Sequence, residues 1–261
     1  FLFFFVKIQS MERKKEQRQA ELYRILLNQG KTKVRDLAMQ LQVTPETVRS
    51  DLSDMVNQRK IIREHGYARP ISSVAEVPFR MREMENLQEK RRIGFRALHE
   101  VKPNQTVFLD AGSTSVLGLP ALARNANITI VTNNIPLAYE AGLLGFQVMV
   151  CSGALSNVGL RTYGVISSEI LRDLTIDCAI LGCDGIDCAK NFTTLAFNEV
   201  GIKRVVLSRS KRNIVMMDQT KFESSASFNF ASFKEIDCLV TCALRPEQRE
   251  KLKMIPEIIE V

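Results

Sequence analysis

The chain has 261 residues, enough for two domains with real cores, and its 45% hydrophobic and 25% charged content is that of an ordinary soluble globular protein. The net charge of +7 is unevenly placed: residues 11–70 hold 13 Lys/Arg against 8 Asp/Glu, whereas residues 71–261 hold 22 against 21. The basic excess sits in a short N-terminal segment, as expected if that segment meets phosphates. Six cysteines without CxxC spacing and only two histidines argue against a zinc site and for buried, reduced thiols in a cytoplasmic protein.

The apolar run Phe1 to Val6 is too short to span a bilayer, which needs about 20 residues, and it lacks the flanks of a secretory signal. Met11, followed by Glu12-Arg13-Lys14-Lys15, reads as a natural start, so residues 1–10 are expected to carry no function. From Arg18 to Asn28, Leu22, Ile25, Leu26 and Leu27 describe an amphipathic helix stopped by Gly30. Val34, Leu37, Ala38 and Leu41 describe a shorter one. Thr44 then caps a third helix with Pro45 at its first position, where the missing N–H costs nothing. Val48, Leu52, Met55 and Val56 turn one face inward and leave Glu46, Thr47, Arg49, Ser50 and Ser53 outside.

Two helices joined by so short a turn form a helix-turn-helix, whose second helix enters the major groove of DNA N-terminus first. The β-favouring residues around Gly66 predict a two-stranded wing, with Arg63 and His65 beside a phosphate or the minor groove. The expected DNA-contacting residues are Lys33, Thr44, Glu46, Thr47, Arg49, Ser50, Arg63 and His65. Pro70 to Ser73 and Pro78 break any helix, and the mixed charge of Arg80 to Asn86 reads as a solvated connector, so residues 71–92 are assigned as linker between a domain at 11–70 and another at 93–261.

Beyond the linker, short apolar runs alternate with helical patterns: Thr106–Leu109, Ile128–Val131, Gln147–Val150, Cys178–Leu181, Asn213–Met217 and Cys238–Val240. Such alternation predicts a mainly parallel sheet with helices on its faces, and ligands in such sheets bind at the carboxyl ends of the strands. The residues at those ends are small, hydroxylated or acidic. Gly112-Ser113-Thr114, followed by Val116-Leu117, resembles a strand-to-helix turn whose N–H groups and hydroxyls cradle a phosphate.

Two sets of motifs carry a family resemblance that covers nearly the whole chain from Arg18. Asp36-Leu37-Ala38, Val43-Thr44, Thr47-Val48-Arg49-Ser50-Asp51-Leu52, Ile62-Arg63 and His65-Gly66 resemble the N-terminal domain of DeoR-type bacterial transcriptional regulators. Ser50 replaces that family's usual second arginine, and Tyr67 its second glycine. Asp110 to Thr114, Val131-Thr132-Asn133, Gly182 to Asp187, Glu199 with Lys203, and Asp218 to Phe222 are similar to the motifs of its sensor domain, with Ser152-Gly153 in place of a double glycine.

The resemblance implies an α/β chain: an N-terminal winged helix-turn-helix and a C-terminal sensor domain of ribose-5-phosphate-isomerase-like type that binds a phosphorylated sugar or sugar alcohol. The ligand residues it implies, together with the strand-end reading, are Asp110, Gly112, Ser113, Thr114, Thr132, Asn133, Gly153, Asp184, Glu199, Lys203 and Lys221. The main reading is a regulator, a repressor of a carbohydrate-use operon, that binds operator DNA as a homo-oligomer (dimer or tetramer) without a cofactor or metal. The alternative is a sugar-phosphate isomerase with an appended DNA-binding module. Against it, Leu181 and Gly185 stand where the isomerase's acidic cluster has an aspartate and a glutamate, and leucine cannot move a proton. A plain interaction scaffold is the third reading.

Overall fold

A computed structural model describes residues 2–57, 61–64, 66–70, 77–124 and 127–261, with side chains from Lys14 onward except at positions 27, 28, 57, 70, 123, 124 and 166. The chain divides into two compact units, Phe1–Val77 and Pro78–Val261.

In the first unit, α1 (Leu2–Gln29) is followed by β1 (Thr32–Lys33), α2 (Val34–Gln40), α3 (Pro45–Asn57), β2 (Ile61–Glu64) and β3 (Tyr67–Pro70). Gly30, at φ +69°, supplies the left-handed residue that ends α1. Leu22, Leu26, Leu37, Val48, Leu52 and Met55 are all fully buried, so these parts of the apolar faces meet in one core, whereas Val56, expected on the inward face of α3, is exposed. Each such side chain contributes about 1.5–3 kcal/mol. Asp51 is buried as well, and its carboxylate takes both ends of the Arg18 guanidinium, which ties α1 to α3. The wing gains a third strand that the sequence pattern did not show, because β1 pairs antiparallel with β3, giving the order β1-β3-β2.

In the second unit the elements are α4 (Phe79–Met84), α5 (Leu87–Leu98), β4 (Thr106–Leu109), α6 (Ser113–Gly118), β5 (Thr129–Thr132), α7 (Ile135–Leu143), β6 (Gln147–Val150), β7 (Ala154–Ser156), β8 (Arg161–Tyr163) and α8 (Val165–Arg172). These lead into β9 (Cys178–Gly182), β10 (Gly185–Ile186), β11 (Asn191–Thr194), α9 (Phe197–Arg209), β12 (Asn213–Met217), β13 (Phe228–Ser232), β14 (Cys238–Thr241), α10 (Pro246–Leu252) and β15 (Glu257–Glu260). Seven strands form one parallel sheet in the order β15-β14-β12-β9-β4-β5-β6. Alternate residues feed two cores. Phe108, Ala179, Leu181, Val215 and Leu239 lie on one side, and Val107, Leu109, Ile180, Ile214 and Val240 on the other. An antiparallel sheet, β10-β11-β13, and the β7-β8 hairpin are additions that the alternation pattern did not predict.

Sheet growth proceeds from β4 outward through β5 and β6, then restarts on the other side of β4 with β9. The order therefore reverses between β4 and β9, and the crevice above their carboxyl ends is where such sheets take ligands. Residues 78–92, read from the sequence as linker, instead belong to the second unit. Phe79, Met81 and Lys90 are buried in it.

Candidate functional site

On the first unit, the Thr44 hydroxyl accepts the Thr47 N–H at 3.2 Å, so the expected cap is formed. Thr44, Glu46, Arg49, Ser50 and Ser53 are exposed and Thr47 is half-buried on the outer face of α3. Arg49 pairs with Glu46 at 2.6 Å in a solvated ion pair. Arg63, on β2, donates to the Ser53 hydroxyl at 2.9 Å and so braces the wing against α3. Lys33 is exposed on β1, its ammonium 5.8 Å from the centre of the Tyr67 ring. His65 lies outside the described residues.

On the second unit, a cleft at the β4/β9 reversal is lined by Asp110, Gly112, Ser113, Thr114, Asp184, Glu199, Lys203 and Lys221, together with Arg82, Lys90, Ala111, Gly182, Cys183, Met216 and Asp218. Eight of the eleven ligand residues named from the sequence are thus brought together. Thr132, Asn133 and Gly153 are not, and each is occupied in building the loops. The Thr132 hydroxyl donates to the Leu109 carbonyl at 2.6 Å, and the Asn133 amide donates to the Thr162 carbonyl at 3.1 Å. Gly153, at φ +146°, lies so close to β8 that a Cβ there would stand 2.2 Å from the Tyr163 carbonyl oxygen.

At the floor of the cleft the buried Lys203 ammonium donates to the Asp110 carboxylate and, at 2.8 Å, to the Gly182 carbonyl. Asp110 also accepts the Gly182 N–H at 2.9 Å, which locks the ends of β4 and β9 together. Burial by itself would lower the Lys203 pKa, but Asp110 and Glu199 outweigh it and hold it above the usual lysine value. Glu199 is raised by burial, against Lys203 and Arg161, the latter a fully buried guanidinium 2.8 Å away. It accepts the Thr194 hydroxyl at 2.6 Å. Asp184 accepts the Leu195 N–H at 2.9 Å; burial pushes its carboxyl up, but Lys221, Arg82 and that N–H hold it below the ordinary carboxylate range.

The other wall carries three cations. Lys90 is buried, donates to the Arg82 carbonyl, and has its pKa lowered to about 8 by burial; Asp218 opposes that shift and Lys221 adds to it. The Lys221 ammonium makes no hydrogen bond or ion pair among the described residues, although its backbone is bonded to Asp218 and Ser224. Ser113 donates to the same Arg82 carbonyl at 3.3 Å, which holds α4 against the cleft. Arg82 and Lys90 escaped the sequence reading because the segment around them looked like a solvated connector. The signal was present, however: Lys90, Ile93, Gly94 and Ala97 form the buried stripe of α5, and a lysine on an apolar stripe has a reason to be there.

The Cys183 thiol, pushed up to about 12 by burial, is no base, and Leu181 is buried in the core rather than turned to the cleft. All six cysteines are free; Cys188 is exposed, against the expectation that the thiols are buried. Among the described residues no helix is long and apolar enough to cross a membrane.

Comparison with known proteins assigns both units. Residues 18–74 match the DeoR-like helix-turn-helix domain and residues 85–242 the DeoR C terminal sensor domain. The glycerol-3-phosphate regulon repressor of Escherichia coli strain K12 is 28% identical over 234 residues, covering 89% of this chain and 93% of that protein. The L-fucose operon activator of the same strain is 28% identical over 234 residues, 87% of this chain and 95% of that protein. Among solved structures, ribose 5-phosphate isomerase from Plasmodium falciparum is similar over 51% of this chain and 52% of its own, with 21% identity and a TM-score of 0.38. The sequence relatives are named regulators, which decides against the isomerase alternative. A helix-turn-helix with an exposed polar face and an α/β unit with a charged cleft each match their own half of one family, and the chain belongs to the DeoR family of DNA-binding transcriptional regulators.

Proposed function

We propose that this protein represses a carbohydrate-use operon and is controlled by a phosphorylated sugar or polyol held in the cleft between β4 and β9. The observation that carries the reading is the wall of three cations, Arg82, Lys90 and Lys221, facing the carboxylates Asp110, Asp184 and Glu199. A phosphate dianion relieves the mutual repulsion of the cations and the cost of burying Lys90. The carboxylates and the hydroxyls of Ser113 and Thr114 suit the polyol end. The sequence relatives include a glycerol-3-phosphate regulon repressor, which supports the effector class, and also an L-fucose operon activator, so the direction of control is a separate part of the proposal.

On the DNA side, Arg49, Ser50, Thr47 and Glu46 of α3 read the operator while Thr44, Lys33 and Arg63 position the unit on phosphates. Ser50 has no guanidinium to offer a guanine, so the operator differs at that base pair from those of relatives with arginine there. A palindromic operator calls for at least two copies of the chain. Control requires that the effector bind the DNA-competent and incompetent forms with different affinity.

A thermal-shift screen of sugar and polyol phosphates beside their unphosphorylated parents tests the cleft. The expected result is stabilisation by a phosphorylated compound only. Equal stabilisation by the parent sugar, or no hit across the panel, removes the phosphate reading. A hit that tightens rather than loosens operator binding would remove repression with induction while leaving the cleft intact.

A further inference from the structure

The two edges of the seven-stranded sheet are built differently. At one edge, β15 begins and ends in glutamates, which pair with Arg212 at 2.6 Å and with Arg249. Charges on an edge strand deter pairing with another sheet. The other edge, β6, reads Gln147-Val148-Met149-Val150 and, among the described residues, is paired on one side only, with β5. Met149 and Val150 are 40% and 41% exposed. Parallel strands are normally covered on both faces, so an apolar terminal strand of this kind is unfinished.

The elements around β6 share the pattern. α7 packs on β6, and Ile135, Tyr139 and Leu143, at i, i+4 and i+8, form a stripe on its outer side; Tyr139 and Leu143 are 66% and 67% exposed. Leu155 of the following strand β7 is also exposed. Between Asn134 and Ser168 the only charged residues are Glu140 and Arg161, and Arg161 is buried. The six exposed side chains present roughly 600 Å² of apolar surface, at the upper limit for a monomer, and with their neutral polar surround they approach the about 800 Å² per partner of a stable interface.

We propose that the β6 edge with α7 is the face through which two copies of this chain associate, the two β6 strands meeting antiparallel about a twofold axis and joining two seven-stranded sheets into one. A second copy is the occupant that fits the charge: nucleic acid or an anionic membrane surface selects Lys and Arg, and this stretch has only the exposed Glu140 and the buried Arg161, whereas a face with so little charge meets itself with little like-charge repulsion. This rests on the reading above that the chain works as a homo-oligomer.

The test is light-scattering mass measurement on the full chain at micromolar concentration, for the wild type, Leu143→Asp, Tyr139→Asp and the control Phe95→Asp, an exposed apolar site on α5. The substituted residues are exposed, so circular dichroism is expected to stay unchanged. The expected result is a wild-type mass at least twice 29.5 kDa, a fall of twofold or more in both α7 variants, and no change in Phe95→Asp. Both α7 variants keeping the wild-type mass would overturn the interface while leaving the oligomer reading standing. A wild type at 29.5 kDa would overturn both.

Discussion

Lys90→Met separates what the cleft costs from what it does. Lys90 is buried on the apolar stripe of α5, and its pKa falls from 10.5 to about 8. That difference, at about 1.4 kcal/mol per pH unit, makes the charged lysine destabilising by about 3 kcal/mol at pH 7. The sign follows from proton binding. Between pH 8 and 10.5 the unfolded chain holds a proton that folded Lys90 has released, so this residue's contribution rises with pH; below pH 8 the full penalty is present.

Methionine has similar length and no charge. Its substitution removes the penalty and forfeits one hydrogen bond to the Arg82 carbonyl, worth about 1 kcal/mol. The ligand-free variant is therefore expected to be more stable than wild type by about 2 kcal/mol at pH 7, several degrees in melting temperature for a unit of this size. The advantage should shrink by about 2 kcal/mol by pH 9.5. Buried thiols such as Cys178, pushed up to about 12, make both proteins less stable above pH 9, and this cancels in the comparison. Thermal melts at the two pH values, with and without a stabilising sugar phosphate, give the readout. A variant less stable than wild type at pH 7, with a gap independent of pH, would refute the reasoning. So would an undiminished ligand shift in the variant, since the proposed phosphate site includes this cation.

Ligand affinity is expected to be highest between about pH 6, where the phosphate becomes a dianion, and pH 8, where free Lys90 loses its proton; calorimetric titrations at pH 7 and 9 that agree would contradict it. Arg49→Ala should weaken operator binding by about 1–3 kcal/mol in a gel shift at fixed salt. Its melting temperature should not move, because the Arg49–Glu46 pair is solvated. Asp110→Ala should destabilise the chain by about 3–5 kcal/mol, because it strands the buried Lys203 ammonium, whereas Lys221→Ala should leave stability unchanged and abolish the ligand shift. Gly94→Ala should cost at least about 1–3 kcal/mol and weaken the ligand shift. Its Cβ would stand 2.4 Å from the carbonyl oxygen of Thr114, a cleft residue.

Much of this architecture was legible in the residues. The capped α3 and five of the six apolar runs coincide with their elements to within a residue at either end, and the run at 128–131 is displaced by one, since period and capping are local properties. The cleft was legible to the extent that it is made of strand ends. Arg82 and Lys90 were missed because their role depends on α4 and α5 folding back onto the sheet, a non-local event that a charged, proline-bounded segment does not advertise. Thr132 and Asn133 were read as ligand groups because strand-end polar residues serve either ligands or loops. Their hydrogen bonds to the Leu109 and Thr162 carbonyls assign them to the loops. The β1 strand of the wing, two residues long, carries no periodic signal at all.

The proposed regulation requires that the β4/β9 cleft and the α3 face act on one another. Fluorescence anisotropy of labelled operator, titrated with wild type and with Lys221→Ala in the presence and absence of a saturating sugar phosphate found by the screen, measures that coupling directly. The expected result is a weakening of wild-type operator affinity by about 5- to 150-fold on adding ligand and no change in Lys221→Ala, whose ligand-free affinity equals that of wild type. The same ligand effect in both proteins would contradict it.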